Sequence, residues 1–183
     1  MKKNVFTVSD ITVMALVAVL IVVGKSLLRM PISVPGHAGV LWIGALVVVK
    51  AVVRKPGAAT VMGLVGGALV ALIQPSDAGL FFGVAKYVLP GLVLDALFPL
   101  LGRFDRLLPA IVAGATAHVA KVTLDLAQGL VTGLPTHVLL AGLTLDLVAH
   151  VAFGALGGLL GALVLRALMK TKVPQLGGLD ESP

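Results

Sequence analysis

The 183-residue chain contains no cysteine. That removes disulfides, thiolate metal ligands and thiol nucleophiles together, and leaves His, Asp, Lys, Ser, Thr, Tyr and the backbone to carry any chemistry. Charged residues are scarce at 12%, and aromatic residues scarcer at 4%. With 58% of residues hydrophobic and a mean hydropathy of +1.10, there is too little polarity to clothe a water-soluble surface. A soluble protein of this composition would expose large apolar patches, so lipid is the expected solvent. No Gly-x-x-x-x-Gly-Lys-Ser/Thr loop is present to cradle nucleotide phosphates. No Ala-x-Ala cleavage signature follows the first apolar stretch, which is therefore read as a retained helix rather than a signal peptide. A formal net charge of +6 would suggest nucleic acid in a soluble protein. Here the basic residues sit in short loops beside apolar runs, which is the pattern of a topology signal, and no nucleic-acid partner is expected.

What the sequence has instead is a series of apolar runs. A crossing needs roughly 20 residues, or slightly fewer where the bilayer thins. Six segments qualify: Ile11 to Leu28, Val40 to Val53, Ala58 to Ile73, Leu80 to Leu101, Leu107 to Val131 and Val138 to Leu168. The expected fold is an all-α polytopic membrane protein with six transmembrane helices and both termini cytoplasmic. Residues 1–9 form the cytoplasmic N-terminus, 10–170 the membrane domain and 171–183 a flexible cytoplasmic tail. Arg54-Lys55-Pro56-Gly57 separates the short second and third segments, since a charged pair followed by Pro-Gly stops and turns a helix. The sixth segment is long enough to tilt or to project past the membrane.

Six crossings put the two termini on one side. Lys2, Lys3, Arg54, Lys55, Arg103, Arg106, Lys170 and Lys172 share that side, while Arg29, His37, Asp77 and His137 fall opposite. The positive-inside rule makes the shared side cytoplasmic. Five or seven spans would scatter the basic residues over both faces. The runs Gly63 to Gly67 and Gly154 to Gly161 place small residues three and four apart, as in tightly packed membrane helices.

Ionic side chains inside spans are costly, and turn toward the bundle interior, a water-filled cavity or a charge partner. Span four carries Lys86, Tyr87 and Asp95; span five His118, Lys121 and Asp125; span six Asp146 and His150. Helical spacing places His118, Lys121 and Asp125 on one face and Asp146 with His150 on another. Given the topology, Lys86, Lys121, Asp125 and Asp146 fall in outer halves and the two histidines deeper. Asp95 lies toward the cytoplasm, within reach of Arg103 or Arg106. A polar hollow built from spans four to six and open to the exterior is the binding hypothesis. Its structural alternative pairs Lys121 with Asp125 or Asp146 merely to make burial tolerable, and packs the histidines neutral against backbone carbonyls. For Lys25 and Lys50, snorkelling to an interface competes with an inward position. The first outer loop, Met30 to Gly39, holds two prolines, two glycines and His37. It suits a cap over an outward cavity, with Trp42 beyond it standing either at the interface or over a ligand.

Taken together, the hydropathy, the topology, Pro35-Gly36-His37-Ala38-Gly39 through Trp42 and Lys50, and Lys86-Tyr87-x-x-Pro90-Gly91 resemble the substrate-binding S components of energy-coupling factor (ECF) vitamin transporters. The likeness runs from Ser9 to Lys172. It implies a small organic nutrient bound near the outer side under the first loop, by His37, Trp42, Lys86, Tyr87, His118, Lys121, Asp125, Asp146 and His150. Lys86 and Lys121 favour an acidic, phosphate-bearing or zwitterionic compound, with His118, Asp125 and Asp146 reading its donors. The resemblance further implies a multi-pass protein of the prokaryotic plasma membrane with no catalytic residue, metal or cofactor of its own. Its partners would be a T component and two ABC-type ATPase subunits that use the ATP. The family's Ala-x-x-x-Ala docking pattern in the first helix is replaced by Ala15 and Ala18, three apart, which with Gly24 are the expected close contacts to the T component.

Three other functions stay open. Nickel or cobalt uptake could draw on His37, His118, His137 and His150 with Asp95, Asp125 and Asp146, although nearby lysines oppose a cation. An intramembrane enzyme could pair His118 with Asp125, or Asp146 with His150, as acid and base, although no nucleophile or dinuclear motif accompanies them. A structural membrane subunit would use the polar residues only to join helices.

Overall fold

The structure is a computed structural model that describes residues 6–27, 36–73 and 79–171, the side chains of 24–27 excepted. Expectations that fall on Lys2, Lys3, Gly24, Lys25, Arg29, Asp77, Lys172, most of the first loop and the tail lie outside the described residues. Six helices follow one another: α1 Val8–Leu27, α2 Gly39–Val53, α3 Ala58–Ile73, α4 Leu80–Leu101, α5 Leu107–Val131 and α6 Thr136–Lys170. The all-α architecture is as expected. α4, α5 and α6 are long and apolar enough to cross a membrane, while α2 and α3 are shorter apolar helices.

Local chemistry sets the ends of these helices. Thr7 and Asp10 form a reciprocal capping pair at the start of α1: the Asp10 carboxylate accepts from the Thr7 N–H at 2.6 Å, and the Thr7 hydroxyl accepts from the Asp10 N–H at 3.2 Å. α2 stops where Arg54 turns left-handed at φ 51°, its N–H donating back to Lys50 O, and Gly57 at φ 79° completes the reversal. α4 ends at Gly102, whose N–H donates to Phe98 O.

α2 is the central post. Ten of its fifteen residues are buried, and it touches all five other helices. The most extensive pairings around it are α5 with α6 and α3 with α4, whereas α1 lies outside against α3 and α2. Both large pairings run along glycine seams. A Cβ at Gly63 would strike the Tyr87 carbonyl oxygen and one at Gly91 that of Ala59; across the other pair, a Cβ at Gly114 would strike Gly154 O and one at Gly158 would strike Ala110 O. The helix backbones therefore touch directly, which is how membrane helices gain dispersion contact without a hydrophobic driving force. Outward, Leu20, Leu72, Phe81, Leu100, Leu108 and Leu145 form an exposed apolar surface of the kind lipid covers.

Lys50 does not snorkel, and Asp95 does not pair with Arg103 or Arg106. Lys50 is 2% exposed and its Nζ lies 2.7 Å from Asp95 Oδ1, also donating to Lys55 O at 2.9 Å. Asp95 Oδ2 accepts from the Thr60 N–H at 2.9 Å and the Thr60 hydroxyl at 2.7 Å. The first turn of α3 has free N–H donors, and Gly57 before it offers no side chain to cap them. Asp95 of α4 takes that role from another helix and so clasps α2, α3 and α4 together.

The α4–α5 loop is tied down by Asp105, which receives a two-pronged hydrogen bond from Arg103 at 3.0 and 2.9 Å, while its carbonyl accepts from Arg166 of α6. The Arg103 guanidinium holds the Asp105 carboxyl below its ordinary value against the opposing effect of burial. A carboxyl depressed by folding adds stability above its unfolded pKa and loses it as pH falls through the folded value. The thermal midpoint in detergent is therefore expected to drop further from neutral to strongly acid pH in wild type than in Asp105→Asn. Parallel pH profiles would show that the pair adds nothing.

Candidate ligand-binding site

The glycine seam between α5 and α6 is what brings the polar stripes of these two helices face to face. A Cβ on Gly154 would lie 2.7 Å from the His118 Cβ, so the absence of a side chain there lets His118 sit against α6. The His118 and His150 rings come to 4.5 Å between centroids at 46°. His150 Nδ1 lies 2.8 Å from the Asp146 carbonyl oxygen, and His118 Nδ1 lies 3.1 Å from the His150 carbonyl oxygen. Carbonyl oxygens only accept, so both Nδ1 atoms carry the proton, and in the neutral rings both Nε2 atoms are acceptors.

One carboxylate is the hub of the ionic groups. Asp125 Oδ1 meets Lys86 Nζ of α4 at 2.7 Å, and Oδ2 meets Lys121 Nζ one turn back on α5 at 3.4 Å. His150 Nε2 faces the same Oδ2 at 3.9 Å. The three ionic side chains are partly exposed, whereas His150 is buried and its Nε2 has no hydrogen-bond partner. The Asp146 carboxylate stands 3.8 Å from His150 Nδ1. Lys121 thus pairs with Asp125, while Asp146 stays with His150.

The turn that leads into α2 presses on the two histidines. Gly39 N–H donates to Gly36 O at 2.8 Å, and Gly36 has φ +77°, a conformation that favours glycine. A Cβ on Gly36 would lie 3.2 Å from His118 Cε1 and 3.3 Å from His150 Cε1, and one on Gly39 would overlap the His118 ring. Bare backbone therefore covers the imidazole pair. Sequence reading placed the loop over the hollow, but gave no sign that its glycines, rather than His37, make the cover. His37 itself is half-buried in the turn.

Trp42 is 5% exposed, its ring lying where a Cβ on Gly66 would go. It meets Tyr87 edge to face at 4.4 Å, so this pair packs α2 against α3 and α4. Ala15 is exposed, as docking requires, but Ala18 is 0% exposed; it turns into the bundle, and the outward surface of α1 is carried by Ala15, Leu16 and Val19. Among the described residues no three His, Asp or Glu side chains come together as a metal-ion site. At the opposite end of the helices, Ala51, Arg54, Phe98, Arg103, Phe104 and Leu165 line a cavity of about 210 Å³.

Comparison with known proteins places this arrangement. No protein-family model matches the chain, and no curated protein matches it. A solved structure does: the crystal structure of an S-component of an ECF transporter, with a TM-score of 0.63 and 27% sequence identity over 92% of this chain and 88% of that one. The chain is thus similar to an S-component in both fold and sequence over nearly its whole length.

Proposed function

We propose, from the premise of that likeness to an S-component, that this chain is the membrane subunit that captures a small water-soluble nutrient, a vitamin or precursor of anionic or zwitterionic character. In this reading the six helices all cross a prokaryotic plasma membrane with both termini cytoplasmic, and a separate T component and two ATPase subunits energise uptake. The observation that carries the proposal is the meeting of Lys86 of α4 with Lys121 and Asp125 of α5 beside His150 of α6, next to the His118–His150 pair that the turn at Gly36 and Gly39 covers. Intramembrane charges of this kind mark substrate pathways by default. Two ammonium groups share one carboxylate, so an incoming anion can take one lysine from Asp125 without leaving a charge unpaired.

The test is to purify the protein in mild detergent and identify the co-purifying compound by mass spectrometry. Lys86→Met and Lys121→Met are each expected to weaken retention of that compound by about tenfold to a hundredfold, the worth of a hydrogen bond to a charged group, with the thermal transition preserved. Unchanged retention in both variants would reject this site. A protein that carries no saturable compound would instead favour the reading in which Asp125 merely neutralises the two lysines.

A further inference from the structure

We infer that the bound compound presents an N–H or O–H donor to the acceptor pair His150 Nε2 and Asp125 Oδ2, so that the substrate class is an anion bearing a donor, and donor-free anions are excluded. This rests on the reading of the cluster as the ligand site.

The inference starts from the tautomer. With its Nδ1 proton committed to the Asp146 carbonyl at 2.8 Å, neutral His150 offers only a lone pair at Nε2. That atom is buried and unpartnered in a residue 1% exposed. Its neighbour at 3.9 Å, Asp125 Oδ2, is an acceptor too, so neither satisfies the other. Oδ2 is also the poorly served oxygen of Asp125. Lys86 holds Oδ1 at 2.7 Å, but Lys121 reaches Oδ2 only at 3.4 Å, longer than a good N–H···O contact. Two under-satisfied acceptors therefore face one point.

A proton on Nε2 would also satisfy that atom, but it would place a third positive charge beside Lys86 of α4 and Lys121 of α5, with Asp125 and the Asp146 carboxylate as the neighbouring counter-charges and neutral His118 packed on the ring. A neutral N–H or O–H donated to Nε2, with a second donor hydrogen of the same group reaching Oδ2 where the ligand carries one, meets these acceptors without adding a positive charge. It also releases Lys121 from its long contact to meet the ligand's own anion, while Lys86 keeps Asp125. Lys86 is then paired with Asp125 and Lys121 with the ligand's anion, while the Asp146 carboxylate stays beside His150 Nδ1. Buried acceptors built for a donor reject analogues that lack it, because the site's polar groups are otherwise left unmet.

The experiment titrates the detergent-purified chain with two donor-bearing anions, biotin and pantothenate, and two donor-free anions, lipoate and nicotinate. The compound that co-purifies is identified alongside. Binding is read as a thermal shift and by calorimetry, with the ¹⁵N resonance of His150 Nε2 followed by NMR. A donor-bearing anion is expected to bind, to shift the Nε2 resonance in the direction of an accepted hydrogen bond, and to lose about tenfold in affinity in His150→Phe. His150→Gln, which keeps an acceptor, should retain more affinity than His150→Phe, and this comparison stands even if the phenylalanine variant folds poorly. Saturable binding of a donor-free anion, or a donor-free compound co-purifying in stoichiometric amount, would overturn the donor requirement while leaving the site in place. An Nε2 already protonated in the ligand-free protein would overturn it too. Absence of any binding by the four probes, with nothing co-purified, would take down the site and the inference together.

Discussion

Asp95→Ala is expected to destabilise the protein by about 3–5 kcal/mol, the usual cost of removing one partner from a buried ion pair. Lys50, 2% exposed, would lose its carboxylate partner, and the N–H and hydroxyl of Thr60 would lose their acceptor. The melting transition in detergent should fall steeply, or the protein should fail to accumulate. The double variant Lys50→Met/Asp95→Leu should recover much of the loss, since replacing both ions by apolar side chains of similar size removes the stranded charge. A single variant no weaker than an exposed pair, about 0–1 kcal/mol, would show that the clasp does not hold α2, α3 and α4 together.

The second large effect concerns the contact between α5 and α6. Gly158→Val should cost about 1–3 kcal/mol or more through overpacking, because even the first added carbon meets the Ala110 carbonyl oxygen and the backbone next to it. Neither atom can rotate away, so the two helices must separate. The same seam sets the spacing of His118 and His150, so ligand retention should be lost together with stability. Gly142→Val is the matched control. It lies on the same helix, and a Cβ there meets nothing within 4 Å, so stability and retention should both persist. If the two variants behaved alike, close backbone packing would not be what holds the pair.

How much of this was legible in the sequence depends on how far each feature reaches along the chain. The six helices were readable because apolar runs broken by Arg54-Lys55-Pro56-Gly57 and similar stops are local signals. The glycine seams were readable as small-residue faces, although not which helix each would meet. The stripe of His118, Lys121 and Asp125 was visible from helical spacing, and the structure brings it to His150 and Lys86. Asp125 as the shared hub was not visible, because nothing local ranks it above Asp146. The Lys50–Asp95 pair joins positions 45 residues apart, and the need it meets arises from Gly57, a residue with no side chain to suggest a remote cap. The burial of Trp42 was hidden for a related reason. An indole near a helix start is equally at home at an interface or in a core, and the choice is made by Gly66 on another helix, which leaves room for the ring.

The turn at Gly36 and Gly39 meets the histidines as naked peptide. A side chain at Gly39 would overlap the His118 ring, and one at Gly36 would be strained at φ +77° and pressed against both rings, so neither position can take on a side chain of its own. If the site proposed above is the binding site, a change of ligand preference is expected from positions such as 86, 121 and 150 and not from these two glycines.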